Sequence, residues 1–196
     1  MNKKRYPAFI VGGIVVLLAI FFIVAYNGLV KKEEKVKKQW AEVQNAYQRR
    51  MDLIPNLVNV VKGNANYEQT TLEKVVEARS KAASVNVSSN DISAGSYQQQ
   101  AKAQDELAAS ANRLIVTVEK YPELRGTEAF TGLQVQLEGT ERRIKVARKD
   151  FNEAIQNYNS SVRSFPTSLA GSLFGFKAKD GFSSDAGADK ATEIKF

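Results

Sequence analysis

The chain has 196 residues, enough for one domain of ordinary size with an anchor or tail, and its 43% hydrophobic and 25% charged residues are a globular balance. It contains neither cysteine nor histidine, which excludes disulfide frameworks, thiolate nucleophiles, His-based triads and Cys/His zinc sites. Lys plus Arg outnumber Asp plus Glu by 28 to 21, a net charge of +7, so anionic surfaces are natural neighbours.

A short basic tail (residues 1–7) with Lys3, Lys4 and Arg5 precedes an uncharged, almost wholly apolar run from Ala8 to Ala25. As a helix this run is about 27 Å long, and Tyr26 brings it to the hydrocarbon thickness of a bilayer. Tyr6 and Tyr26 stand where an aromatic belt would sit, and Lys31, Lys32, Lys35, Lys37 and Lys38 follow. A cleaved secretory signal has a shorter apolar core and a small-x-small site after it; Tyr26-Asn27-Gly28-Leu29 offers none. Residues 8–26 are therefore read as an uncleaved single-pass anchor in contact with membrane lipid. The acid-free, basic amino-terminal tail, set against a following flank diluted by Glu33 and Glu34, places the amino terminus in the cytoplasm and the bulk of the chain outside it.

Beyond the anchor, apolar residues recur at helical spacing. Leu29, Val36, Trp40, Val43, Tyr47, Ile54, Leu57 and Val61 form one stripe of a helix from about Gly28 to Lys62, with Gly63-Asn64 as its stop. Pro55 lies inside it, deletes an amide donor and crowds the Met51 carbonyl, so a kink is expected. A weaker stripe through Leu72, Val75, Ala78 or Arg79, and Ala82 is a second helix, and the polar stretch Val85–Ser96 reads as a loop. A third helix runs from about Ser96 to Lys120 with Leu107, Ala111, Leu114 or Ile115, Val118 and Tyr121 inward, broken by Tyr121-Pro122.

Thr127 is a fair N-cap for the last helix, whose stripe runs through Phe130, Leu133, Leu137, Ile144, Ala147, Phe151, Ile155, Tyr158, Val162 and Phe165 until Pro166, about 54 Å. Helices this long need partners in water. The fold class is all-α: a single transmembrane helix, then an antiparallel up-and-down four-helix bundle over residues 27–165. Residues 166–196, rich in Gly, Ser and Ala, read as a flexible tail, with Leu169, Leu173, Phe174 and Phe176 as one docking patch and disorder expected after Asp180.

No catalytic constellation emerges. The adjacent acid pairs Glu33/Glu34 and Asp105/Glu106 point apart on a helix and cannot flank one bond. No phosphate-cradling glycine motif, metal-ligand set or cofactor motif is present, and basic residues are too interspersed with acids for nucleic acid. The reading is a non-enzyme without cofactor or metal, and it names no small-molecule ligand. One segment stands out, Arg49-Arg50-Met51-Asp52-Leu53-Ile54-Pro55-Asn56. Arg50 falls on the stripe, seven residues after Val43 and seven before Leu57, where a charge is costly unless paired. Asp52, Asn56 or an acid from another helix is its expected partner. Three roles stay open: a buried ion pair fixing helix register, a binding site on the Pro55 kink, or a snorkelling side chain. Arg79, also close to its seam, is open to the same readings. Arg142 and Arg143 lie beside the last stripe, on a solvated face.

The run Trp40–Val61 (WAEVQNAYQRRMDLIPNLVNVV), with the anchor before it, resembles the LemA protein family. Leu72–Arg79 (LEKVVEAR), Tyr121–Arg125 (YPELR) and Phe165-Pro166 through Gly175-Phe176 resemble its later signatures. The resemblance implies a bacterial cell-membrane protein with one spanning helix and an antiparallel four-helix bundle. It brings no catalytic residue with it, and some relatives are associated with membrane proteases or TPM-domain proteins. Two functions are thus expected: a scaffold or adaptor that binds other envelope proteins or itself as a homo-oligomer, or a membrane-tethered ligand or stress-signal sensor with a pocket near Arg50, Asp52 and Pro55.

Overall fold

The computed structural model describes residues 6–63, 69–85, 87 and 94–182. Among them every regular element is helical: α1 (Tyr6–Lys62), α2 (Gln69–Ser84), α3 (Ala94–Val118), the single turn α4 (Pro122–Arg125), α5 (Glu128–Arg163) and α6 (Thr167–Phe174).

The apolar run and the first amphipathic stripe form one 57-residue helix, about 86 Å long, rather than two separate helices. Gly28, between the two parts, does not interrupt it, because the burial of Leu29 beside it and the long helix on either side outweigh the cost of about 1 kcal/mol for one glycine. Its first part is long and apolar enough to cross a membrane and is exposed over nearly its whole surface. Its second part buries every residue of the expected stripe: Leu29, Val36, Trp40, Val43, Tyr47, Ile54, Leu57 and Val61. The helix stops at Gly63, whose N–H reaches the Asn59 carbonyl at 3.1 Å.

α5 opens as expected, with the Thr127 hydroxyl accepting the Phe130 N–H at 3.3 Å. It lies antiparallel to α1: Trp40 meets Phe151, Tyr47 meets Arg148, and Arg50 meets Glu141. α3 also runs against α5, since Tyr97 touches Phe151 and Asp105 pairs with Arg148. α2 packs between α1 and α3. Arg79 reaches Met51 on one side, and Lys81 pairs with Glu106 on the other.

One inward assignment fails. Phe165 is 81% exposed. α5 ends at Arg163 and Ser164 turns to extended backbone, so Phe165 leaves the face on which the stripe had placed it. Between Pro166 and Phe182, where composition suggested a flexible tail, the chain carries α6 and an extended segment against α5; residues 183–196 lie outside the described ones. α6 closes on Gly175, whose φ of +78° favours glycine, with the Phe176 N–H on the Gly171 carbonyl at 2.9 Å. Phe174 stacks on Tyr26 at 5.0 Å and on Phe22 at 6.3 Å, so α6 sits at the end of the apolar segment. Leu169 and Leu173, one turn apart, stay exposed, as Phe165 does.

The interior divides into two apolar groups. One, built on Leu53, Leu57, Leu107, Leu114, Phe130 and Leu137, lies far from the apolar segment. The other, built on Trp40, Tyr47, Tyr97, Phe151 and Tyr158, lies nearer to it. Leu107 is wholly buried in the first group, so Leu107→Ala should cost about 2–5 kcal/mol. Val116→Ala on the exposed face of the same helix should change stability by less than about 0.5 kcal/mol. Urea denaturation of the detergent-solubilised chain reads both.

Candidate functional site

Between the two apolar groups lies a polar layer made by Arg50, Gln104, Thr140 and Glu141 from α1, α3 and α5. Arg50 is 1% exposed. Its Nε and Nη2 donate to the two carboxylate oxygens of Glu141 at 2.8 and 2.5 Å, a bidentate fork. Its Nη1 donates to the Gln104 carbonyl at 2.8 Å and to the Gln104 side-chain oxygen at 3.3 Å. The acid from another helix is thus the partner. The pair is asymmetric: the Glu141 side chain is 42% exposed while that of Arg50 is 2% exposed. Thr140 turns its hydroxyl back onto the Gln136 carbonyl at 2.8 Å and so adds no free polar group to the layer.

Pro55 has no N–H for the Met51 carbonyl one turn back. Arg79 from α2 supplies the missing donor, its Nε reaching that oxygen at 3.0 Å. The two arginines singled out by the sequence therefore do separate work. Arg50 joins α1 to α3 and α5, and Arg79 joins α1 to α2 at the proline. The remaining members of the expected cluster face outward. Arg49 is exposed and holds Gln136 at 3.0 Å, Asp52 is exposed and accepts from Gln48 at 2.7 Å, and Asn56 is exposed. Arg142 and Arg143 are exposed, as their position beside the stripe suggested. Near Arg50 a crevice of about 100 Å³ opens between α3 and α5, edged by Asn112, Gln134 and Glu138.

A second polar assembly was not read from the sequence. Arg148, on α5, donates to the Tyr47 hydroxyl at 2.9 Å, pairs with Asp105 at 2.7 Å, and stacks over the rings of Tyr47 and Phe182 at 5.4 and 5.3 Å. The signal was present: Arg148 stands four residues after Ile144 and three before Phe151, so it is a cation on a seam, as Arg50 is. Gln100 and Gln104 interrupt the α3 seam in the same way and are both buried. Asn152 and Asn159 on the α5 flank were missed too, and each binds the main chain of the segment that follows α6. Burial lifts the Tyr97 phenol to about 12, with the Asp180 carboxylate adding to the shift. Tyr158 rises to about 12 for the same first reason, with Glu33 as the added charge.

This is an all-helical protein in which a membrane-length apolar helix continues into one wall of a helical body pinned by a buried arginine. Residues 39–196 match the model of the LemA family, and the chain belongs to that family. It is similar to the protein named LemA of Metamycoplasma hominis, with 20% identity over 156 residues that cover 78% of this chain and 68% of that protein. It is also 23% identical to magnetosome protein MamQ 2 of Paramagnetospirillum magneticum, across 89% of this chain and 71% of the relative. Magnetosome protein MamQ of Magnetospirillum gryphiswaldense is 23% identical, across 91% and 73%.

Glu141→Ala strands a buried guanidinium and should cost about 3 kcal/mol, at the lower end of the range because Glu141 itself is partly solvated. Arg50→Met keeps much of the volume and leaves Glu141 free to turn to water, so it should cost less. Equilibrium denaturation orders the two, and the reverse order would contradict the asymmetry. In the unfolded chain the phenols ionise near pH 10, whereas folded Tyr97 and Tyr158 keep their protons to about pH 12. Their stabilising contribution is therefore complete below pH 10 and declines as pH rises from about 10 to about 12. Tyr97→Phe should shrink that alkaline decline and remove one late step from the phenolate absorbance titration.

Proposed function

We propose that the protein is a non-enzymatic scaffold or adaptor held at the bacterial cell membrane by residues 8–26. In this reading α1, α2, α3 and α5 act as an up-and-down four-helix bundle on the extracytoplasmic side. That bundle binds other envelope proteins or further copies of the chain. The observation that carries this reading is the unbroken α1, in which one helix holds both the membrane-length apolar segment and one wall of the helical body. A rigid rod of this kind presents fixed protein surfaces at a fixed distance from a bilayer, which suits tethered recognition. The aromatic cluster of Phe22, Tyr26 and Phe174 with the exposed Leu169 and Leu173 fits an interface between lipid and water at the base of the rod.

The ligand-sensor reading has one observation in its favour, the crevice beside Arg50. Against it, the guanidinium is already forked onto Glu141 and bonded to Gln104, so an anionic ligand would have to displace a bidentate carboxylate.

Lysine-directed cross-linking in intact cells, with mass spectrometry of complexes purified through this chain, tests the adaptor reading. Lysines lie along most of the helical body. The expected result is a defined envelope protein, or a second copy, linked through lysines of α1, α2, α3 or α5. Turnover of an envelope substrate by the purified chain would overturn the non-enzymatic assignment.

A further inference from the structure

Residues 177–182 (Lys-Ala-Lys-Asp-Gly-Phe) leave α6 past Gly175 and run without helix along the flank of α5. Their main chain is held by two asparagine amides. Asn159 Nδ2 donates to the Lys179 carbonyl at 2.6 Å while its Oδ1 accepts the Lys179 N–H at 2.8 Å. Asn152 does the same to Phe182, at 3.0 and 2.7 Å. Three residues of extended chain cover about 10 Å, and seven residues of helix cover about 10.5 Å. Asparagines seven apart on a helix therefore match every third residue of an extended peptide. A primary amide that both gives and takes at one residue reads the peptide group itself and tolerates many side chains.

Side-chain seats add selectivity. The Phe182 ring sits among Trp40, Tyr97 and Phe151, at 6.1, 5.2 and 5.4 Å between centroids, and the Arg148 guanidinium caps it at 5.3 Å. The Tyr97 hydroxyl donates to the Gly181 carbonyl at 2.8 Å. A Cβ at position 181 would fall 2.7 Å from Asn152 Oδ1, which two hydrogen bonds already fix, so glycine is required there. Lys179 reaches Glu33 at 3.0 Å and stacks over Tyr158 at 5.6 Å. The recognised pattern is a cation, any residue, glycine, then an aromatic ring.

We propose that this groove between α1, α3 and α5 is a peptide-binding site. Residues 177–182 are its resident, self-inhibiting occupant, and an extended Lys-x-Gly-Phe segment of a partner protein is its ligand in trans. The proposal rests on the protein-binding reading above and names the chemistry of the partner. Bonds that read main chain fit a segment from another chain as well as they fit the resident one. The resident segment seats only the side chains of Lys179 and Phe182, while Lys177, Ala178 and Asp180 stay exposed. The buried Trp40 indole N–H has no hydrogen-bond acceptor among the described residues, a donor the resident segment leaves unused.

Trp40 is the only tryptophan of the chain, so its emission reports on the groove. The full chain in detergent carries Phe182→Ala, and the probe is the synthetic peptide acetyl-AKAKDGFSS. The variant should show red-shifted Trp40 emission. The peptide should reverse the shift saturably, at least tenfold more tightly than the same peptide with its Phe replaced by Ala. Adding Asn152→Ala and Asn159→Ala to the Phe182→Ala chain should weaken the peptide at least tenfold. No red shift, no reversal at millimolar peptide, or reversal indifferent to either change would overturn the site. If Phe182→Ala abolishes the helical signal, a benzophenone replaces the peptide's Phe ring and is photolysed with the Gly181→Ala chain, in which the added methyl meets Asn152 and loosens the resident segment. Adducts on Trp40, Tyr97 or Phe151 then support the proposal, and no adduct or adducts elsewhere overturn it. Cross-links in cells that recover a partner away from the groove would remove this site and leave the adaptor reading standing.

Discussion

A guanidinium that is 1% exposed in the middle of a helical body constrains everything around it. Arg50 must have its charge answered and its donors occupied, and the only way to do both is to bring α3 and α5 to fixed heights against α1. Glu141 on α5 meets the guanidinium in a bidentate fork, a geometry that tolerates little sliding. Gln104 on α3 meets it through both its carbonyl and its side chain. Apolar contacts alone would allow a slip of one turn at modest cost, since a heptad of Leu and Val looks much the same after a shift. The polar layer lies between a mainly aliphatic end of the interior and one rich in aromatic rings.

The proline one turn further along α1 creates the opposite kind of problem, an acceptor without a donor. Arg79 answers it from α2. Two arginines in one neighbourhood thus have different logic. Arg50 is a buried charge that recruits an acid, and Arg79 is a half-buried cation recruited by a broken backbone ladder. Together they tie α2, α3 and α5 to α1 within a few residues. That concentration explains why the Arg50–Pro55 stretch is the most conspicuous piece of the sequence.

The helical stripes were legible because burial follows the 3.6-residue period wherever a helix has one partner face, and every α1 stripe position from Leu29 to Val61 is buried. Arg50 was legible as an anomaly for the same reason. Its partner was not, since Glu141 lies 91 residues away and spacing within one helix says nothing about which acid faces it. The continuity of α1 was missed because a membrane segment and an amphipathic stripe obey different patterns, and no local rule says whether they share one axis. Phe165 misled because it keeps the period for one residue after the backbone has left the helix. The seat of residues 177–182 was invisible to composition: glycine, lysine and alanine suggest a flexible chain, while the order is imposed by asparagines on another element.

These pieces meet at the end of the helical body nearest the apolar segment. Glu33 and Trp40, which receive Lys179 and Phe182, are both on α1, and Trp40 lies fourteen residues beyond Tyr26, about 21 Å along the helix axis. About six residues of extended chain cover that distance. The aromatic half of the interior therefore has two demands on it. It must fill the space between α1, α3 and α5, and it must leave one ring-sized seat that its own chain fills from outside. An aliphatic core meets only the first demand, because Leu and Val side chains close around one another. Flat rings with a guanidinium across them can instead receive one more ring edge-on, which accounts for the division of the interior into two chemistries on either side of Arg50.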